Sequence, residues 1–387
     1  MKTSSYVILG GGMVAGYAAK EMVERGLKPG QLAIVSADSA LPYERPPLSK
    51  SFLSGKDTEE SIRINPEEFY RDRGIEVRLA TEVKGVDTGQ RVLRLASGED
   101  LGFQKLLIAT GARPRTLEIP SVFYLRSLDD SRRIRERAAG ARSATVIGAG
   151  FIGMEVAAVL AQKGIATRMV WREDRMGKRL FTPAMSRWFE DYYVARGVEL
   201  VKNAQPSDLR GRDGDLVVAG IGVVPVTEPF AASGIQVEDG LVVNEYLETR
   251  VPGIYAAGDV ANYPDTLFGK RRRVEHWDNA VSQGRYAART LLGDSQPFTH
   301  VPYFFSDIFD LSYEYWGDSS GADHIVERGD PSAKSFSVWW LREGRLVAAF
   351  VMNRPDEERD AAPRWIELKQ PIDAERLRGS ASIQQAV

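Results

Sequence analysis

Residues 6–16, Tyr-Val-Ile-Leu-Gly-Gly-Gly-Met-Val-Ala-Gly, constrain the fold more than any other stretch. Tyr6 to Leu9 has the length and composition of a buried parallel strand. Gly10 and Gly12 open a turn with no Cβ in the way. Ala15 and Gly16 then begin a helix that runs through Ala18, Ala19, Met22 and Val23. A strand, a glycine turn and a helix N-terminus aim backbone N–H groups and the positive end of a helix dipole at one point, where a pyrophosphate would sit. Taken alone, such a loop is also compatible with a tight turn that binds nothing.

The pattern recurs. Ala144 to Ile147 is a second apolar run, followed by Gly148, Ala149, Gly150, Phe151, Ile152 and Gly153 in the spacing G-x-G-x-x-G, with a helix expected from Met154. Two such units predict two dinucleotides on one chain. A length of 387 residues allows two or three domains with ample core. Acidic and basic residues nearly cancel, 53 against 51, so no global field selects nucleic acid or a membrane surface. No apolar run reaches the ~18 residues of a membrane span. No charged and apolar leader precedes the first strand, so the expected compartment is the cytoplasm. There is no cysteine, which excludes a disulfide framework, a thiolate metal site and a redox-active dithiol. His276, His300 and His324 are scattered, and no metal is expected.

Between and after the two loops the chain carries further signals. Leu32 to Val35 reads as the second strand, and Asp38 is the acidic candidate for an adenosine ribose. Leu41 to Lys50 is rich in proline, which predicts an extended strap carrying Arg45, Pro46 and Lys50 up to Pro47. Short strands are expected at residues 75–79, 85–87, 92–95 and 105–108. Residues 131–142 suit a basic helix with Arg132, Arg133, Arg135 and Arg137, either a solvated face or a docking patch for an acidic protein. Thr167 to Glu173 reads as a strand. Glu173 at its end would accept a ribose 2′-OH and favour NADH, whereas Arg172 would welcome the 2′-phosphate of NADPH. Lys270 to Arg273 is a second basic run, open to the same two readings as the helix. A hairpin at residues 336–351 and short helices from Arg364 and Ala374 close the chain.

The strap resembles that of FAD-dependent pyridine-nucleotide oxidoreductases, in the branch containing monodehydroascorbate reductase, ferredoxin reductase and apoptosis-inducing factor. The resemblance covers nearly the whole chain. It extends through Ala109-Thr110-Gly111, Arg126, the G-I-G-x-x-P segment at Gly222, the Gly258-Asp259 pair, and Glu275-His276-Trp277. It implies that Lys50 lies beside the isoalloxazine, paired with Glu155. It also implies that Arg45, Pro46, Val83 and Arg126 contact the FAD and that Asp259 bonds the ribitol. Gly222 would line the nicotinamide cleft, which Phe151 and Ile152 open. The helix after His276 would face the pyrimidine edge of the flavin. Residues 179–198 and 302–318 look most like monodehydroascorbate reductase, in which Tyr303 or Phe305 matches an aromatic at the acceptor side.

The implied fold is α/β of the glutathione-reductase type. It has a discontinuous FAD domain (residues 1–113 and 243–300), an NAD(P) domain (114–242) and an α+β interface domain (301–387). Between Asn203 and Asp215 the chain is short for the family's strand–hairpin excursion. The implied activity is hydride transfer from NADH, or NADPH, to FAD, and single-electron transfer to an external acceptor. That acceptor is a small molecule or a small acidic redox protein, and the protein is a monomer or homodimer. Plant monodehydroascorbate reductases carry arginine just after the alanine matching Ala280, where this chain has Val281 and Ser282. A ferredoxin or rubredoxin reductase is the alternative. A slow NADH-responsive redox sensor, like apoptosis-inducing factor, is an alternative of another class.

Overall fold

Parallel pairing of Lys2–Leu9 with Leu32–Val35 on one side and Asp100–Ile108 on the other builds the first sheet. The computed structural model describes residues 2–387 apart from Pro206, Ser207, Arg210, Asp213, Ser295 and Ala381. Glu76–Arg78 extends the sheet beyond Leu32–Val35. Asp100–Ile108 is long enough to pair twice. Its first half takes antiparallel Val92–Leu95 and its second half takes parallel Ile254–Ala256. The strand before Gly258-Asp259 thus returns to the sheet that begins the chain. The opening helix spans Met13–Glu24, two residues earlier than the alanine pattern predicts. Met13 and Val14 are apolar and buried, and they pack with the late helix Trp277–Leu291 in one core.

The second sheet is wholly parallel. Its order is Glu199–Val201, Ala166–Val170, Ser143–Ile147, Leu216–Ala219, Val122–Tyr124. Its helix spans Phe151–Gln162, so it begins immediately after Gly150 and not at Met154. The strand before Glu173 stops at Val170, which puts Glu173 on the loop beyond it. The basic helix is Leu128–Ala138. Its start is fixed by a capping box between Ser127 and Asp130, a signal stronger than the arginine pattern. Of the short excursion at residues 203–215, residues 206, 207, 210 and 213 lie outside the described ones, while Ala204 and Leu209 are buried against Ile147 and Val170.

The strap departs from its expected extended form. Pro46–Ser49 makes one 3-10 turn and Ser51–Ser54 a short helix. A proline φ suits a first helical turn. Coiling also lets Leu48 and Phe52 pack with Tyr43, Ile62 and Leu128. The last part of the chain is a five-stranded antiparallel sheet in the order Tyr303–Ile308, Leu311–Gly317, Arg345–Met352, Ser335–Arg342, His324–Asp330. The helix expected from Arg364 starts at Asp356, with Pro363 inside it. Asp356, Glu357 and Glu358 complement the dipole of its first turn, and Trp365 and Ile366 are buried. The expected middle and last domains share one core, in which Phe181 and Phe189 stack at 4.5 Å and meet Tyr313 and Phe350.

Candidate active site

A cavity of about 700 Å³ runs from the first glycine loop to the start of the second helix. The opening sheet delivers Gly10, Gly12 and Asp38 to it, and the strap delivers Arg45, Pro46 and Lys50. Val83, Ala109, Thr110, Gly111, Arg126, Asp259, Glu275, His276 and Trp277 complete that half. The second helix supplies Phe151, Ile152 and Glu155. Gly10 has φ +126°, and a Cβ there would stand 2.1 Å from the Ala109 carbonyl oxygen, so only glycine lets the loop close on the next strand.

Ala15 and Gly16 are packed behind the loop, with Gly16 against Ile64 and Pro42. Gly258 donates its N–H to Gln283 Oε1 at 2.8 Å, just behind Asp259. Gly148, Gly150 and Gly153 form the second loop, away from the main cavity wall. Gly222 lies between Leu216–Ala219 of the second sheet and Val223–Pro225, which pairs with Ala112–Pro114, and its carbonyl accepts the Arg115 N–H at 2.9 Å. Arg172 and Glu173 are exposed and off the cavity wall.

The cavity is cationic at one end. Arg126 reaches Asp259 Oδ2 at 2.6 Å, and Arg45 donates to the Arg126 carbonyl. Burial, and Arg126 beside it, lower the Arg45 pKa. An anion between the two arginines would relieve that cost. Arg126 Nε and His276 Nδ1 are buried in the protein without a hydrogen-bond partner. Arg45, Arg126 and the first glycine loop line one cavity with a cationic end and a helix N-terminus, which fits a dinucleotide pyrophosphate. Burial pushes the His276 pKa down to about 4, so its ring is neutral at pH 7. Asp38 Oδ2 accepts the Tyr43 hydroxyl at 2.8 Å, which fixes the carboxylate at the end of the sheet.

At the other end three parts of the chain meet. Lys50 Nζ lies 3.4 Å from Glu155 Oε1 and 3.5 Å from Asp307 Oδ2. Glu155 is buried. Ser306 Oγ donates to its Oε1 at 2.6 Å, and Ser49 Oγ donates to its Oε2. Burial raises the Glu155 pKa, against the pull of Lys50 and the two hydroxyls. Phe304 and Phe305 wall the cavity here, and Trp277 stands edge-on to Phe305 at 6.1 Å. Of the aromatic pair expected at the acceptor side, Phe305 reaches the cavity. Tyr303 instead opens on a neighbouring groove of about 660 Å³, where its hydroxyl donates to Glu314 Oε1 at 2.9 Å. That groove also holds Asp278, His300, Asp356, Arg359, Asp360 and Glu367.

Sequence reasoning missed Glu44, Ser49, Ser306 and Asp307. Glu44 accepts Tyr17 Oη–H at 2.5 Å and Trp277 Nε1–H at 2.6 Å, tying the strap to both long helices. Both basic runs are largely engaged within the chain. Lys270 and Arg272 pair with Asp318, Arg272 with Asp265, and Arg273 with Glu275 at 2.6 Å. Lys270–Arg272 is a short strand. Arg132 pairs with Glu59 at 2.6 Å, and Arg135 lies over Phe52 at 4.7 Å. Among the described residues no His/Asp/Glu group could hold a metal ion, and no helix is long and apolar enough to cross a membrane.

Two glycine-loop modules, with a cationic cavity on one and a lysine–glutamate junction to the other, define a flavin- and pyridine-nucleotide-dependent oxidoreductase. Residues 4–284 match the family described as pyridine nucleotide-disulphide oxidoreductase, and the chain belongs to it. Residues 303–385 match the family described as reductase C-terminal. The chain is 32% identical to monodehydroascorbate reductase of Solanum lycopersicum over 97% of each sequence. It is 37% identical to the peroxisomal monodehydroascorbate reductase 4 of Arabidopsis thaliana, over 96% of this chain and 84% of that one. In structure it is similar to a ferredoxin reductase from Rhodopseudomonas palustris, with TM-score 0.93 and 32% identity over the whole of both chains. It is also similar to putidaredoxin reductase, solved in covalent complex with putidaredoxin, with TM-score 0.92, 29% identity and coverage of 98% and 97%. Membership implies FAD and NAD(P)H as cofactors, and an enzyme that passes electrons from the flavin to an external acceptor.

Proposed function

We propose that the chain is an NADH-dependent reductase of a small redox protein, with electrons leaving along the Phe305–Trp277 wall. The observation that carries this reading is the single junction at Lys50 and Glu155, reached from both loops, in a chain without cysteine. When bound, FAD would supply hydride acceptance from the nicotinamide and one-electron release to the acceptor. The protein binds, orients and balances charge. Arg45, Arg126 and the helix after Gly12 hold the pyrophosphate, Asp38 the adenosine ribose and Asp259 the ribitol. His276, neutral and at the start of the Trp277–Leu291 helix, leaves that helix dipole free to stabilise negative charge on the flavin edge. Lys50 is held against Glu155 on the cavity wall. Glu173 takes the ribose of NADH at the second loop. The cytoplasm is the proposed compartment.

The groove beside Tyr303 disfavours a free anion as acceptor, and an acidic redox protein would dock outside it. The groove carries Asp278, Glu314, Asp356, Asp360 and Glu367 against Arg359 and His300. His300 is itself paired with Asp278 and lies 3.3 Å from Ser282, one of the two residues, Val281 and Ser282, that stand where plant reductases carry arginine. Reduction of the ascorbate radical is the second reading, favoured by identity of 32–37% to monodehydroascorbate reductases over nearly the full chain. Anaerobic stopped-flow mixing separates the two. The yellow protein is reduced with NADH and then mixed with a ferredoxin, with ascorbate radical and with ferricyanide. Reduction faster than about one per second and fastest reoxidation by the ferredoxin are expected. Fastest reoxidation by ascorbate radical would replace the first reading with the second. Slow reduction ending in a long-lived charge-transfer complex would replace both with a sensor.

A further inference from the structure

The Lys50 ammonium sits in a fork of two carboxylates. Glu155 is the buried arm, its side chain 6% exposed, and Asp307 is the open arm, 48% exposed. The two distances, 3.4 and 3.5 Å, are equal within the length of a thermal fluctuation. The ring of Phe305, 4.1 Å from Nζ, covers the ammonium from another side. Glu155 cannot follow the lysine, because Ser49 and Ser306 hold both of its oxygens. Lys50 and Glu155 line the cavity, and Asp307 stands outside it. The ammonium is therefore held by a fixed partner on the cavity wall and drawn outward by a second partner. Each charge comes from a different part of the chain: strap, second helix and C-terminal sheet.

We infer that Asp307 is a positioning residue that sets how much of the Lys50 charge is turned toward the flavin. This rests on the placement of the flavin beside Lys50 proposed above. A carboxylate beside the lysine weakens the positive field that favours the electron-rich, reduced flavin. Removing its charge makes reduction easier. The C-terminal sheet thereby tunes the flavin without lining its cavity at that residue.

The test is a spectroelectrochemical titration of the intact yellow protein, with Asp307→Asn, Asp307→Glu and Asp310→Asn beside the wild type. Asp310 is a second exposed carboxylate on the same hairpin, paired with Lys334 at 2.6 Å and Arg196 at 2.7 Å and off the cavity wall. Asp307→Asn is expected to raise the reduced-to-oxidised ratio at a fixed potential about tenfold, a midpoint shift of about 30 mV upward for a two-electron couple. Asp307→Glu and Asp310→Asn are expected to stay within twofold of wild type. An unchanged or lowered midpoint in Asp307→Asn would overturn the inference, as would an equal shift in Asp310→Asn. Flavin lost from Asp307→Asn would also overturn it, making the residue one that holds the cofactor. If wild-type protein carries no FAD or is not bleached by NADH, the functional reading itself fails. A wild type that bleaches normally while Asp307→Asn keeps the same midpoint removes this inference alone.

Discussion

The two glycine loops are built alike and used differently. Gly10 N–H bonds the Val35 carbonyl at 2.8 Å, and Gly148 N–H bonds the Val170 carbonyl at 2.9 Å. Both glycines have positive φ, and an added Cβ would strike the carbonyl of Ala109 or of Gly220. Beyond this shared frame the loops diverge. Over the first, the strap brings Arg45 to within 3.4 Å of where a Gly12 Cβ would stand, and Tyr43 fixes Asp38. At the second, a Gly150 Cβ would meet nothing within 4 Å, and Glu173 is exposed. One backbone motif thus yields an enclosed site suited to a resident cofactor and an open one suited to a substrate that must leave after every turnover.

The sharpest way to break this comparison is to damage each loop in the same manner. Gly10→Ala is expected to cost about 3 kcal/mol or more, the range of a severe backbone and packing clash, and to give colourless protein. Gly148→Ala should be comparably unstable yet retain its yellow colour while losing reduction by NADH. Equal flavin content in the two purified variants would abolish the distinction between resident and exchangeable sites.

The enclosed site should also respond to acid. The His276 pKa is lowered by burial from 6.5 to about 4, so the unfolded chain binds a proton first. The stability due to its neutral form is complete above pH 6.5 and falls as the pH drops toward 4, by up to about 3 kcal/mol. Urea titrations of the flavin-free protein at pH 7 and pH 5 should show that loss, and His276→Gln should reduce it. A pH dependence identical in the variant would remove His276 as its source.

At the junction, Lys50→Ala is expected to slow flavin reduction about tenfold, near 1.4 kcal/mol of barrier, or to loosen FAD. Unchanged single-turnover reduction with full flavin content would take Lys50 out of the site. The smallest effect belongs to the open loop. Glu173→Ala should raise the NADPH-to-NADH ratio of kcat/KM about threefold, the scale of one exposed charge. A ratio that does not move would place the ribose elsewhere.

The parts legible in the sequence are those written locally. Leu32–Val35 is a strand with the expected ends, and Gly10, Gly12, Arg126 and Asp259 meet around one cavity although Asp259 lies far along the chain. Gly10, Gly12 and Asp259 announce themselves by a glycine turn or a strand end, and Arg126 by the family resemblance alone. Ser49, Ser306 and Asp307 carry no such mark, since a hydroxyl that caps a carboxylate 106 or 151 residues away looks like any surface serine. The prolines of the strap misled for a related reason. Their φ fits an extended chain and a first helical turn alike, and the choice was made by Leu48 and Phe52 finding a core. Lys270 and Arg272 read as a surface patch because their partners, Asp265 and Asp318, come from other parts of the chain.

The aromatic core common to the second sheet and the C-terminal sheet has a consequence for how the chain matures. Phe181 and Phe189 leave the ribosome long before Tyr313 and Phe350, which complete their packing. At a synthesis rate of about 5–20 residues per second, the stretch from Phe189 to Phe350 takes roughly 8–32 s. During that interval Phe181 and Phe189 lack the partners that cover them in the folded chain. The final hairpin is therefore the step that ends the nascent chain's exposure to aggregation, well before any electron is carried.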